Sequence, residues 1–219
     1  MSLLFQTQID KHDSMFPSPL SEKYRPRAIG DFLGLDKPKK ILAGFCKRPF
    51  PSSWLFTGSP GVGKSSMAMA MCETLGAEPH HIPSQKCTVA EIDAVIRMCW
   101  YAPFNGGFHF VLVDEADQMS NAAQLALLSK LDSTDPPPKT IFVFTCNETT
   151  RLEERFLSRC KVLEFSTYGL RESLSLFLAK VWTLETGKEC TLDTLRMAKD
   201  ATNNVRTALQ NLEMEILAQ

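Results

Sequence analysis

Short apolar runs alternate with amphipathic stretches along most of the chain, and this alternation predicts the architecture. Trp54–Thr57, Phe108–Val113, Ile141–Cys146 and Val162–Phe165 are runs of strand length, with a brief extended piece at His80–Ile82. Between them Ser65–Leu75, closed by Gly76, Thr88 to about Cys99, Asn121–Leu131 and a segment from Arg151 have helical periodicity. Parallel neighbours need crossover connections, and crossovers are usually helical. A repeated β-α-β order therefore predicts an α/β fold, a mostly parallel five-stranded sheet with helices on both faces. The punctuation agrees. Thr88-Val-Ala-Glu91 and Thr150-Arg-Leu-Glu153 have capping-box spacing, Asn105-Gly-Gly107 forms a turn before a strand, and Pro136-Pro-Pro138 breaks the chain before the next one.

After Phe165 the pattern changes. Tyr168–Thr186, Leu192–Asp200 and Asn204–Ala218 are helical with no strand between them, which predicts a small all-helical lid over 167–219 behind an α/β domain spanning 21–166. Residues 1–20 contain Pro17 and Pro19 and little periodicity, as expected of a flexible arm.

Composition adds limits. Hydrophobic residues make up 44% and charged residues 22% of 219 positions, the balance of a globular protein, and every apolar run is too short for a bilayer. The start lacks the basic, apolar and small-residue order of a secretory signal, so a cytoplasmic protein with no membrane partner is expected. Seven cysteines form no Cys-x-x-Cys pair, and His12, His80, His81 and His109 have no ligand-like spacing. They are read as reduced and structural, with no zinc site expected from spacing. Net charge is −1, but Leu20–Phe50 holds eight basic residues against three acidic ones. That run either faces phosphates or forms a solvated surface.

The strongest chemical signal is Gly58-Ser-Pro-Gly61-Val-Gly63-Lys64-Ser65, placed between an apolar strand and a helix. Its glycines let successive backbone N–H groups turn inward toward phosphate oxygens, and the helix that follows adds its positive end. Lys64 would sit on the β- and γ-phosphates and Ser65 would hold Mg²⁺; Ser59, Pro60, Val62 and Ser66 complete the expected wrap around a bound ATP. A second strand, Phe108–Val113, delivers Asp114 and Glu115 at its C-terminal end, where open α/β sheets bind ligands. Asp114 would complete the Mg²⁺ shell and Glu115 would polarise the attacking water. The tetrapeptide Asp114-Glu-Ala-Asp117 also invites a helicase reading, but helicases bearing it close two such domains around nucleic acid, and 219 residues leave no room for a second one.

With these residues the chain resembles the AAA+ ATPases, in particular the clamp-loader small subunits of replication factor C and their bacterial relatives. Ser21-Glu-Lys-Tyr-Arg-Pro26 resembles the opening of those subunits, which implies that Tyr24, Arg25 and Pro26 lie against the adenine. Phe32-Leu33-Gly34 falls at the second nucleotide-edge box, implicating Leu33 and Gly34. Thr145-Cys-Asn147 resembles sensor 1, which puts Asn147 on the γ-phosphate or the water. Ser158-Arg159-Cys160 resembles the signature that lends an arginine to a neighbouring subunit's ATP. In Asn203-Asn-Val-Arg206, Arg206 stands where sensor 2 contacts phosphate in its own subunit. The family's collar domain and the cysteine-bound zinc module of some bacterial members have no counterpart, and its DNA-tracking motif is reduced to Lys86 and Arg97.

The resemblance implies an ATPase, slow without neighbours or DNA, in a homo- or hetero-oligomeric ring of AAA+ subunits that serves DNA replication or repair. DNA or a DNA-bound sliding clamp is the expected partner. A non-hydrolysing ATP-dependent scaffold or matchmaker, of the helicase-loader or transposition-regulator type, is the alternative.

Overall fold

The computed structural model describes residues 18–83, 87–104, 106–132 and 136–218. Residues 1–17 of the expected arm, Lys86, and Asn105 of the expected turn lie outside these. The described chain divides into two compact units, 27–167 and a helical one formed by 18–26 together with 168–218.

The first unit is built on five parallel strands, β1 (Ser52–Thr57), β2 (Glu78–Pro83), β3 (His109–Asp114), β4 (Thr140–Cys146) and β5 (Lys161–Glu164), in the order β2-β3-β4-β1-β5. The expected α/β class and five-stranded parallel sheet are what the structure has. Alternate side chains go to opposite faces. Trp54, Phe56, Phe110, Leu112, Ile141 and Val143 pack with α2 (Asp36–Lys47) and α3 (Lys64–Leu75) on one face. Leu55, Val111, Val113, Phe142 and Phe144 pack with α4 (Val89–Cys99), α5 (Asn121–Leu131) and the short α6 (Glu154–Leu157) on the other. The central strands, covered on both faces, are apolar over most of their length, which is why they stood out in the sequence.

α2 interrupts a stretch that suggested only a charge run. Its buried stripe is Pro38, Leu42 and Phe45, and Lys40 and Lys47 stand opposite it, exposed. Two expected caps have different outcomes. Thr88 accepts the Glu91 N–H at 3.2 Å and starts α4. Thr150 starts nothing, because the side-chain oxygen of the fully buried Gln124 takes the Glu153 N–H at 2.8 Å and its amide donates to the Arg151 carbonyl at 3.1 Å. A tertiary contact consumes the donor that the local box needed, and α6 begins three residues later than expected, at Glu154.

The helical unit contains α1 (Leu20–Lys23), α7 (Arg171–Thr186), α8 (Thr194–Asp200) and α9 (Val205–Leu217). Leu20, placed in the arm by sequence, is buried and its N–H donates to Glu213 at 3.0 Å. Lys23 pairs with Glu185 at 2.8 Å, the Tyr24 hydroxyl donates to the same carboxylate, and the Tyr24 ring meets Phe177 edge-on. Residues 21–26, grouped with the sheet by sequence, thus pack with α7 and α9. Burial first, then the Glu185 hydrogen bond and charge, drive the Tyr24 hydroxyl pKa well above its ordinary value.

All seven cysteines are free thiols. Burial pushes Cys72, Cys87, Cys99 and Cys146 up to about 11 and Cys160 to about 12, so each is a neutral thiol unless a metal ion displaces its proton. Among the described residues no helix is long and apolar enough to cross a membrane.

Candidate functional site

From β1 the chain crosses to the β2 edge of the sheet, and from β4 it crosses the other way to β5. The crevice outside the carboxyl ends of β1 and β4 is therefore the topological switch point, where doubly wound sheets bind ligands. The loop of residues 58–63 leaves β1 at that point. Gly58 (φ 146°), Gly61 (φ 76°) and Gly63 (φ 94°) give it a path that side chains disfavour. Gly63 caps α3, so that the loop runs directly into the amino end of the helix at Lys64, Ser65 and Ser66.

Two of these glycines are also forced by crowding. A Cβ on Gly63 would come within 3.0 Å of the Phe32 ring, which brings the Phe32-Leu33-Gly34 box against the loop. A Cβ on Gly58 would lie 2.2 Å from the Phe165 carbonyl oxygen. Gly58→Ala is therefore expected to cost at least about 2 kcal/mol of stability, from backbone strain plus overlap. Urea unfolding measures this, and a loss below about 0.5 kcal/mol would contradict the packing described.

Lys64 is buried, at 8% exposure, with its ammonium held inside the loop. It donates to the carbonyls of Gly58 (2.7 Å) and Ser59 (2.9 Å) and to Asn147 Oδ1 (2.9 Å). Asn147 follows β4, so loop and sensor-like asparagine share one cation. The Ser65 hydroxyl donates to Asp114 Oδ1 at 2.6 Å, and Thr145 Oγ1 donates to the same oxygen at 2.9 Å. Thr145 also accepts the Glu115 N–H at 3.1 Å. That bond anchors Glu115 in the left-handed region (φ 52°), a conformation that costs a non-glycine residue roughly 1–2 kcal/mol. Asp114 and the loop are not on neighbouring strands; β4 lies between β1 and β3 and supplies Thr145 and Asn147 from the gap.

Lys64, Ser65, Asp114, Glu115 and Asn147 are thus brought together at the carboxyl edge of the sheet. Arg159 is not among them. It precedes β5, at the amino edge, where it pairs with Asp132 at 3.0 Å and donates to the Arg155 carbonyl at 2.8 Å. Tyr24, Arg25, Pro26 and the exposed Arg206 belong to the helical unit. Two participants escaped the sequence reading. Thr145 was seen only as part of a motif. His81, whose Nε2 meets Asp114 Oδ2 at 2.9 Å, reaches it from the edge strand β2, and the only signal for it was a polar residue near a strand end.

Donors of this kind fit a triphosphate with Mg²⁺. Backbone N–H groups at the start of a helix and a buried ammonium suit phosphate oxygens, and a hydroxyl beside a carboxylate offers the hard oxygens that Mg²⁺ takes.

The chain resembles known proteins in sequence and in fold. The chain is 32% identical over 152 residues to the replication factor C small subunit of Archaeoglobus fulgidus, covering 66% of this chain and 47% of that one. It is 26% identical over 221 residues to the DNA polymerase III subunit gamma of Buchnera aphidicola, covering 89% and 60%. It spans about half the length of the replication factor C subunits that it matches. Among solved structures, the Thermotoga maritima RuvB Holliday junction branch migration motor superposes with a TM-score of 0.73 at 20% identity, over 87% of this chain and 64% of that one, a likeness of fold. The profile of one family, described as "ATPase family associated with various cellular activities (AAA)", matches residues 54–168, from β1 past β5 and so through every strand-end residue assembled above. That match takes in more than half of the chain, and the protein belongs to the AAA family.

Proposed function

We propose that the chain binds ATP with Mg²⁺ at the Gly58–Ser65 loop, hydrolyses it, and works in the cytoplasm as one subunit of a clamp-loader-like ring acting on DNA or a DNA-bound sliding clamp. The observation that carries this is the joining of Lys64 to Asn147 and of Ser65 to Asp114, four residues from three strand ends, at the switch point of the sheet. Lys64 and the loop amides hold the phosphates, and Ser65 and Asp114 hold the metal, which neutralises phosphate charge. Glu115 orients and deprotonates the water, and Asn147 positions it or the γ-phosphate. Leu33 and Gly34, with Tyr24, Arg25 and Pro26, border the base, and Arg206 reads the γ-phosphate from the lid. Arg159 acts on a neighbour's ATP, so an isolated subunit turns over slowly.

Likeness to replication factor C small subunits and to a DNA polymerase III gamma subunit supports the clamp-loader reading. The exposed cations Lys37, Lys40, Lys47 and Arg48 on and just after α2 support a nucleic-acid partner, since cations standing off the core are placed for phosphate contact. Glu115→Gln tests the reaction. The variant is expected to bind ATP as the unsubstituted chain does and to lose turnover by about 10²-fold or more, the usual contribution of a positioned base. No turnover in either protein would favour the ATP-dependent scaffold instead, and measurable turnover left unchanged by the substitution would remove Glu115 from its role.

A further inference from the structure

Away from the nucleotide loop, on the opposite face of the sheet, three potential metal ligands converge. The Nε2 or Nδ1 of His80 and His109 and the Sγ of Cys99 all lie within 4.8 Å of one another. Strand register accounts for two of them. Glu78 is paired with His109 across β2 and β3, and His80, two residues further along β2, shares the face of Glu78. Cys99, with no exposure, is the last residue of α4, which packs on that face. We propose that His80, Cys99 and His109 form a binding site for a thiophilic transition-metal ion of the Zn²⁺ class, with Glu78 as the fourth donor.

His80 Nε2 faces His109 Nδ1 at 3.0 Å, and the far nitrogen of His109, Nε2, lies 3.0 Å from the Tyr101 carbonyl oxygen. A ring nitrogen donating to a backbone carbonyl leaves its partner nitrogen with a lone pair, and metal-bound histidines are oriented in this way. Two bare imidazole nitrogens repel at 3.0 Å. A shared proton relieves that, and so does a shared cation. Around tetrahedral Zn²⁺, with Zn–N of 2.0–2.1 Å and Zn–S of about 2.3 Å, donors stand roughly 3.3–3.6 Å apart. The cluster needs to close by about 1 Å at its widest. Glu78 Oε2 is 3.8 Å from His109 Nδ1 and accepts the Phe104 N–H at 2.7 Å, so it is already aimed at the cluster. A His₂Cys set with a carboxylate is a borderline-soft set that Mg²⁺ does not compete for. All four donors being protein groups, the site is structural and ties the edge strand β2 to the end of α4.

The full chain, dialysed after one equivalent of Zn²⁺, is expected to retain one ion per chain in the presence of excess Mg²⁺. Co²⁺ in its place is expected to give a thiolate-to-cobalt charge-transfer band and the intense visible bands of four-coordination. Cys99→Ser should abolish the charge-transfer band, and His80→Gln should weaken Zn²⁺ binding by more than about 100-fold, the upper end of what loss of an outer-sphere partner alone costs. Cys190→Ser should change neither. X-ray absorption on the unsubstituted chain, which needs no variant to fold, is expected to show one sulfur near 2.3 Å with nitrogen and oxygen near 2.0 Å. No retained ion, a shell without sulfur, or Cys99→Ser and His80→Gln chains that bind as before would overturn the site.

Discussion

Arg159→Ala is expected to lower ATP turnover by about 10³–10⁵-fold while leaving ATP affinity unchanged, because the arginine is proposed to act only on a neighbouring subunit. Its place in the fold excludes its own loop. Arg159 precedes β5 at the amino edge of the sheet, and the loop leaves β1 at the carboxyl edge, so the four residues of β5, about 13 Å of strand, lie between them. Its ion pair with Asp132 joins two partly exposed side chains, a kind worth at most about 1 kcal/mol, and so is readily exchanged for a phosphate. Arg159 Nε is buried with no hydrogen-bond partner. Mixing Arg159→Ala with Glu115→Gln should restore turnover, since a mixed interface combines an intact water-polarising site with an intact arginine. Turnover per subunit should also fall on dilution. Absence of rescue, together with activity indifferent to concentration, would reject the trans role.

Lys64→Met is expected to raise the Kd for ATP by about 10²–10⁴-fold. Hydrogen bonds to charged groups contribute roughly 1.5–3 kcal/mol each, and the lysine is proposed to make two, to the β- and γ-phosphates. The ammonium now satisfies itself on the Gly58 and Ser59 carbonyls and on Asn147, and Met keeps the length and apolar stem without the charge. Equilibrium binding of ATP, with thermal unfolding to verify the fold, measures the effect. Undiminished affinity in a folded variant would remove the loop from the site.

The two results separate different failures. Loss of binding in Lys64→Met with no effect of Arg159→Ala would leave a nucleotide-binding AAA protein whose ring is not built on this arginine. The Zn²⁺ experiment is independent of both, because its ligands lie on the other face of the sheet.

The sequence by itself determined the sheet, the phosphate loop and Asp114–Glu115. Strands buried on both faces are apolar over most of their length, and a loop that crowds Phe165 and Phe32 must use glycine, so these features are local and leave local marks. Tertiary structure alone decided the rest. α2 was hidden because Pro38 and Gly44 dilute its helical signal and its cations outnumber its buried positions. The Thr150 box gave way to Gln124 across 29 residues, and Tyr24 found Glu185 across 161. His81 joined Asp114, and His80, Cys99 and His109 converged, only because β2 is threaded beside β3. Spacing along a chain carries no record of which strands become neighbours, since that is fixed by burying two apolar faces at once, a property of the whole sheet and of none of its segments.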